Sequence, residues 1–223
     1  MPKTVNPEQQ KKTRNALFQV AARAFLRDGY TVTGMKALAA EAGCTTGKFY
    51  CYYSGKEEIL TELMEALLRG NKEAAERIAA RKKDPFYGVL AFLSLIRHGA
   101  DSYPNLREIY REGLSEPAGR AVAEQMLKEI LAGEPAPETE LRIRAAVRAI
   151  PAFLENDEAD RESRPWEEHL FLTMLSGMLG KDPETAGAYA ERVSADTAAI
   201  REKAYDVLVK LLQGPKKRNV KKM

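Results

Sequence analysis

The chain's 223 residues, 44% hydrophobic and 30% charged, can bury a substantial core and suit an ordinary soluble protein with a small domain beside a larger one. No apolar run approaches the roughly 20 residues that a helical bilayer crossing needs, and the N-terminal stretch lacks the apolar region of a secretory signal, from which a cytoplasmic location is expected. The net charge of +3 is unevenly spread: residues 1–56 carry +6, residues 57–215 carry −8 and residues 216–223 add +5, as expected of a phosphate-binding head on an acidic body.

The first helix opens with Asn6 as cap, Pro7 at the first helical position and Gln9 placed to reach back. Ala16, Leu17, Val20, Ala21, Ala24 and Phe25 form its apolar stripe. Lys11, Lys12 and Arg14 at its open end either touch phosphate or make a solvated basic end.

The next stretch organises the rest. Thr33 is suited to cap a second helix, in which Met35, Leu38, Ala39 and Ala42 share one face, and Gly43 can take the positive φ that ends it. Thr45 is placed to cap a third helix through Phe49, Tyr50 and Tyr53. Ala39 permits close approach of the two helices, while Leu38, Cys44 and Phe49 fill the wedge, which is the packing of a helix-turn-helix. Phe49 and Tyr53, four apart, share the buried face. Lys36, Thr46, Gly47 and Lys48 are then the groove-facing candidates, with Thr45 at the tip, and Thr33, Tyr50, Tyr52 and Lys56 the phosphate contacts.

The window from Asn6 to Leu60, with NALFQVAARAFLRDGYTVTGMKALAAEAGCTTGKFYCYYSGKEEIL, resembles the N-terminal DNA-binding domain of the TetR family of transcriptional regulators. The features occur in the family's order: an amphipathic first helix ending at Gly29 and Tyr30, a capped second helix, the Gly43 turn, the Phe49-Tyr50 pair, and Ser54 and Lys56 opening a fourth helix. Cys51 departs from the aromatic or histidine usual in that family, so no relative's target sequence transfers. The resemblance implies a homodimer that binds double-stranded operator DNA and responds to a small-molecule effector.

The body reads as helices throughout. Ser54 and Glu57 form a capping box for a helix to about Arg81, with Ile59, Leu60, Leu63, Met64, Leu67 and Leu68 apolar. Asp84-Pro85 begins a helix to about Ser102, Pro104 interrupts it, and Leu106 to Leu114 makes a short one. Glu116-Pro117 starts the next, and the loop from Gly133 precedes a helix from Leu141 to Leu154 that Pro151 kinks or breaks. The polar run beginning at Glu155, with Asp157, Glu158 and Asp160, is a loop or frayed helix. Helices from Trp166 to Leu179 and, capped by Asp182, from Pro183 to Leu212 complete the body. The expected class is all-α: a three-helix DNA-binding head over 1–55, a ligand-binding and dimerisation body over 56–214, and a basic tail over 215–223 that adds nonspecific DNA affinity or solubility.

By the same resemblance, the pool for an effector pocket is Phe92, Ile96, His98, Tyr103, Tyr110, Met126, Phe153, Trp166 and Phe171, since such sites pair apolar walls with a few polar groups. For self-association the candidates are Leu170, Met174, Met178, Ala204, Val207, Leu208 and Leu211, whose alternative is packing within one chain. Two half-sites read by a two-fold dimer give the specificity that one short helix lacks.

Catalysis finds little support. Gly113 to Pro117 lacks the second glycine and the preceding strand of a nucleophile elbow, and there is no His/Cys cluster at metal spacing and no phosphate-cradling loop, so no catalytic residue, metal or cofactor is expected. Cys44 and Cys51, seven residues apart, are about 10 Å apart along one helix, beyond disulfide reach. The reading is a sequence-specific DNA-binding regulator, most simply a repressor. The alternative is a helical small-molecule-binding or catalytic protein that keeps the head without using it on DNA.

Overall fold

Proline and short polar caps divide the chain into helices, as a fixed φ and a missing N–H suit only the first turn. A computed structural model describes residues 6–131, 136–155 and 164–198. Ten helices occur among them: α1 Pro7–Asp28, α2 Met35–Glu41, α3 Thr46–Tyr50, α4 Lys56–Lys82, α5 Pro85–Ser102, α6 Pro104–Ser115, α7 Pro117–Ile130, α8 Pro137–Leu154, α9 Arg164–Met178 and α10 Pro183–Ala198. Six begin with proline. The caps foreseen at Asn6, Thr45 and Asp182 each accept a backbone N–H from the first turn of their helix, and Asp84 does the same for α5. The chain is all-α over the described residues.

α5 is buried nearly all round, from Tyr87 to Ala100, and is the core's central rod. Packed along it are α4, α6, α7, α9 and α10. α4 buries Ile59, Leu60, Leu63, Met64, Leu67, Leu68, Ala74, Ala75 and Ile78, one apolar stripe over about five turns, and also contacts α1. It therefore joins head to body as one continuous element. In the body's interior, Arg97 is 2% exposed. Its guanidinium donates to Asp101 at 2.9 Å, to the Phe153 carbonyl at 2.9 Å and to Glu167 at 2.5 Å, and Asp101 also pairs with Arg107 at 2.7 Å. Charge is balanced, as burial of ions requires, and the network pins α5, α6, α8 and α9 together.

Several local expectations are corrected. The residue before α2 is Gly34, which has no side chain to cap with, because the Thr33 hydroxyl instead donates back to the Gly29 carbonyl at 2.5 Å. α3 ends at Tyr50, with Cys51 and Tyr52 in the turn that follows. The carboxylate that closes on Ser54 is Glu58, not Glu57: it accepts from the Ser54 amide at 2.9 Å and hydroxyl at 3.0 Å. Gly55 in extended backbone precedes α4 and shifts the box by one residue. α8 begins at Pro137 and runs through Pro151 to Leu154 without breaking. The basic tail, the dimer candidates Ala204, Val207, Leu208 and Leu211, and the acidic residues Asp157, Glu158 and Asp160 lie outside the described residues.

Candidate nucleic-acid interface

The turn between α2 and α3 is set by Gly43 at φ +64°, a conformation that costs glycine nothing and other residues about 1 kcal/mol or more. The Cys44 amide then donates to the Ala39 carbonyl at 2.9 Å, closing the end of α2. Thr45 sits in extended backbone and accepts the Lys48 amide at 3.2 Å, starting α3 at a defined angle. Beneath, Phe49 and Tyr53 are fully buried with ring centroids 5.9 Å apart, and Leu38, Ala39, Leu17, Ala21 and Phe25 complete the floor. A second anchor is Arg14, whose guanidinium stacks 4.4 Å over the Tyr53 ring and pairs with Glu62 at 2.6 Å and Glu58 at 3.2 Å. Burial, with the negative charge of Glu62 beside it, pushes the Tyr53 phenol far above its ordinary range, so it stays a neutral donor toward Glu62 and the Arg14 carbonyl. Arg14 is thereby a brace of the head.

Above this floor the tip faces outward. Thr45, Gly47, Lys48 and Lys36 are exposed, Thr46 is half-exposed, and Tyr50 keeps 51% of its surface. The structure thus brings together, on one protruding surface, six of the nine residues named for DNA contact. Tyr52 is partly buried against the core. Two depart from expectation. Thr33 is 6% exposed with its hydroxyl bonded to Gly29, which removes it from reach of a phosphate. The Lys56 ammonium lies 4.3 Å over the Tyr30 ring and donates to the Tyr30 and Thr31 carbonyls at 3.3 and 3.4 Å, so its first role is to hold the α1–α2 turn. Cys51 is exposed at the end of α3, its thiol turned onto the Gly47 carbonyl at 3.3 Å.

Residues 17–63, which include this whole motif, match the family profile described as bacterial regulatory proteins, tetR family. This segment is thus a tetR-family N-terminal domain. Among solved structures, that of RolR in complex with the ligand resorcinol is similar at a TM-score of 0.65 and 16% identity, over 84% of this chain and 97% of that one. A tetR-family transcriptional regulator from Streptomyces coelicolor aligns at a TM-score of 0.44 and 19% identity, over 90% of this chain and 99% of that one. No curated protein matches in sequence. Over most of its length the chain shares the fold of RolR, and the matched segment holds the helix-turn-helix described above.

The body distributes the expected effector pool unevenly. Phe92, Ile96, Tyr110 and Phe171 are fully buried in the core, and Met126 is 7% exposed. Phe153 packs edge-on against Phe171 at 5.2 Å, His98 contacts Ser102 at 3.2 Å, and Tyr103 is 41% exposed. The side chain of Trp166 lies outside the described residues. Met126 is the one member of the pool that lines either of two grooves flanking α4. The larger, about 790 Å³, runs between α1, α4 and the start of α7 and is edged by Glu57, Glu62, Glu65 and Glu116; the smaller, about 420 Å³, lies between α4 and α7. Sequence reasoning missed Asn71, fully buried on α4, whose amide donates to the Tyr110 hydroxyl at 3.1 Å. A polar residue inside the Leu67, Leu68, Ala74, Ala75 stripe was its signal. Among the described residues no group of three or more His, Cys, Asp or Glu could hold a metal ion, and no helix is long and apolar enough to cross a membrane.

Proposed function

We propose that the protein is a homodimeric, ligand-responsive repressor that binds a palindromic operator. The observation that carries the DNA reading is the α3 tip: Thr46, Gly47 and Lys48 stand outward over the buried Phe49 and Tyr53, so the helix presents polar groups on a rigid underside. Lys48 and Lys36 read base edges, while Thr45, Tyr50 and Tyr52 contact phosphates.

A dimer is favoured by α9. Leu170, Met174 and Met178, four residues apart, are 54%, 48% and 37% exposed, while Phe171, Leu172 and Leu175 on the other face are buried. An apolar stripe of this length turned to solvent suits a second copy of the same helix, and two-fold pairing sets two α3 tips one DNA turn apart. Small-molecule response draws support from the fold shared with RolR, a protein solved with resorcinol, and from the polar Asn71–Tyr110 pair buried between α4 and α6. The effector acts by favouring a body conformation in which the two heads no longer match successive grooves. Selection from random duplex tests the reading: an inverted repeat with half-sites about 10 base pairs apart supports it, and unselected binding opposes it.

A further inference from the structure

The turn between α1 and α2 is gripped from two sides. The backbone N–H groups of Tyr30 and Thr31 donate to the two carboxylate oxygens of Glu108 on α6 at 2.9 and 3.0 Å. The carbonyl oxygens of the same two residues accept from Lys56 on α4 at 3.3 and 3.4 Å. One turn before Glu108, Asn105 donates to the Leu26 and Arg27 carbonyls at 3.0 and 2.9 Å, which are among the last carbonyls of α1 and have no partner inside the helix. Gly29 permits the approach. It stands at φ +102°, and a Cβ there would come within 2.9 Å of Glu108 Oε2. The Tyr30 ring closes the joint, buried edge-on against Phe25 at 5.1 Å.

We infer that Glu108 and Asn105 are positioning residues for the DNA-reading head, through which α6 sets the angle of the head independently of its covalent continuation into α4. The inference rests on the reading that the α3 tip binds DNA. Residues 29–31 tie four helices together: they end α1, lead four residues later into α2, and are clamped at their N–H edge by α6 and at their carbonyl edge by α4. A relative shift of α6 against α4 pulls the two edges apart. The turn must follow one or the other, and α2 and α3 move with it. Glu108 suits this task because a carboxylate accepts two N–H groups at once without offering a donor. An amide of the same shape sets its own N–H against one of the two backbone donors.

The test compares the full-length parent with Glu108→Gln and Asn105→Ala, on a duplex selected with the parent. Amide hydrogen exchange at Tyr30 and Thr31 is expected to accelerate at least tenfold in Glu108→Gln, while exchange in α5 stays as in the parent. On duplexes whose half-site separation varies by single base pairs, the parent's spacing preference is expected to flatten at least fivefold, while base preference within a half-site is kept. A role limited to stability would weaken binding to all spacings in proportion. Parent-like exchange at both amides, or proportionate loss across spacings, overturns the inference. Should Glu108→Gln fail to fold by circular dichroism, Asn105→Ala decides by the same two readouts. If the parent itself shows no spacing preference, the dimer reading falls, and amide exchange alone decides: acceleration supports the joint and parent-like exchange overturns it.

Discussion

At the scale of single residues, Lys48 is the sharpest test of base reading. It is exposed at the tip and no described residue pairs with it, so its charge is available to a guanine edge. Lys48→Ala is expected to lose about 1–3 kcal/mol on the best duplex and to change the order of preference among variants, measured by fluorescence anisotropy. Lys56→Ala should behave differently. Its ammonium is engaged with Tyr30 and Thr31, so the variant is expected to keep base preference and to lose about 1 kcal/mol of stability in thermal unfolding. Gly43 and Thr45 are legible in the sequence because each acts on neighbours within three residues, and the four-residue spacing of Phe49 and Tyr53 places both rings on one face, although the partners Arg14 and Glu62 of Tyr53 are not local. Thr33 and Lys56 are not: the first has a cap-type hydroxyl that the turn at Gly29 takes instead of α2, and the second turns onto a segment 26 residues earlier, a partner no local pattern names.

At the scale of elements, most helix boundaries follow from proline, glycine and caps, and α4, α5 and α7 stand within a few residues of where periodicity puts them. What periodicity does not supply is the pairing of elements. Glu108 lies on a short helix where an acid reads as a solvated face, yet it is the residue that docks α6 on the head. Its burial disfavours the charge, but hydrogen bonds from Thr31 and Tyr30 outweigh this and hold the carboxyl below the usual carboxylate range. A folded-state pKa lowered in this way contributes stability that is full above the unfolded value, about 4.3, and is lost as pH falls through the folded one. Protection of the Tyr30 and Thr31 amides is therefore expected to drop on acidification below about pH 4, and Glu108→Gln to show no such step. The α9 stripe makes a separate prediction. Met174→Glu, at a position 48% exposed in one chain, is expected to shift sedimentation from dimer to monomer while leaving helical circular dichroism unchanged.

For the whole molecule, the basic head and acidic body divide the work by charge. On the proposed function, residues 1–56 at +6 attract a duplex and residues 57–215 at −8 repel it, which favours approach by way of the α3 tip. This asymmetry is plain from the order of charged residues along the chain. What the body binds is not, since Phe92, Ile96, Tyr110 and Phe171 read alike as core and as pocket wall. Base reading by the α3 tip is tested by selection of random duplexes with the parent and with Lys48→Ala, followed by binding at several salt concentrations. The parent is expected to enrich an inverted repeat, the variant an altered half-site, and log affinity is expected to fall linearly with log salt. Equal binding of parent and variant to every duplex, with no sequence enriched, would contradict base reading by the tip.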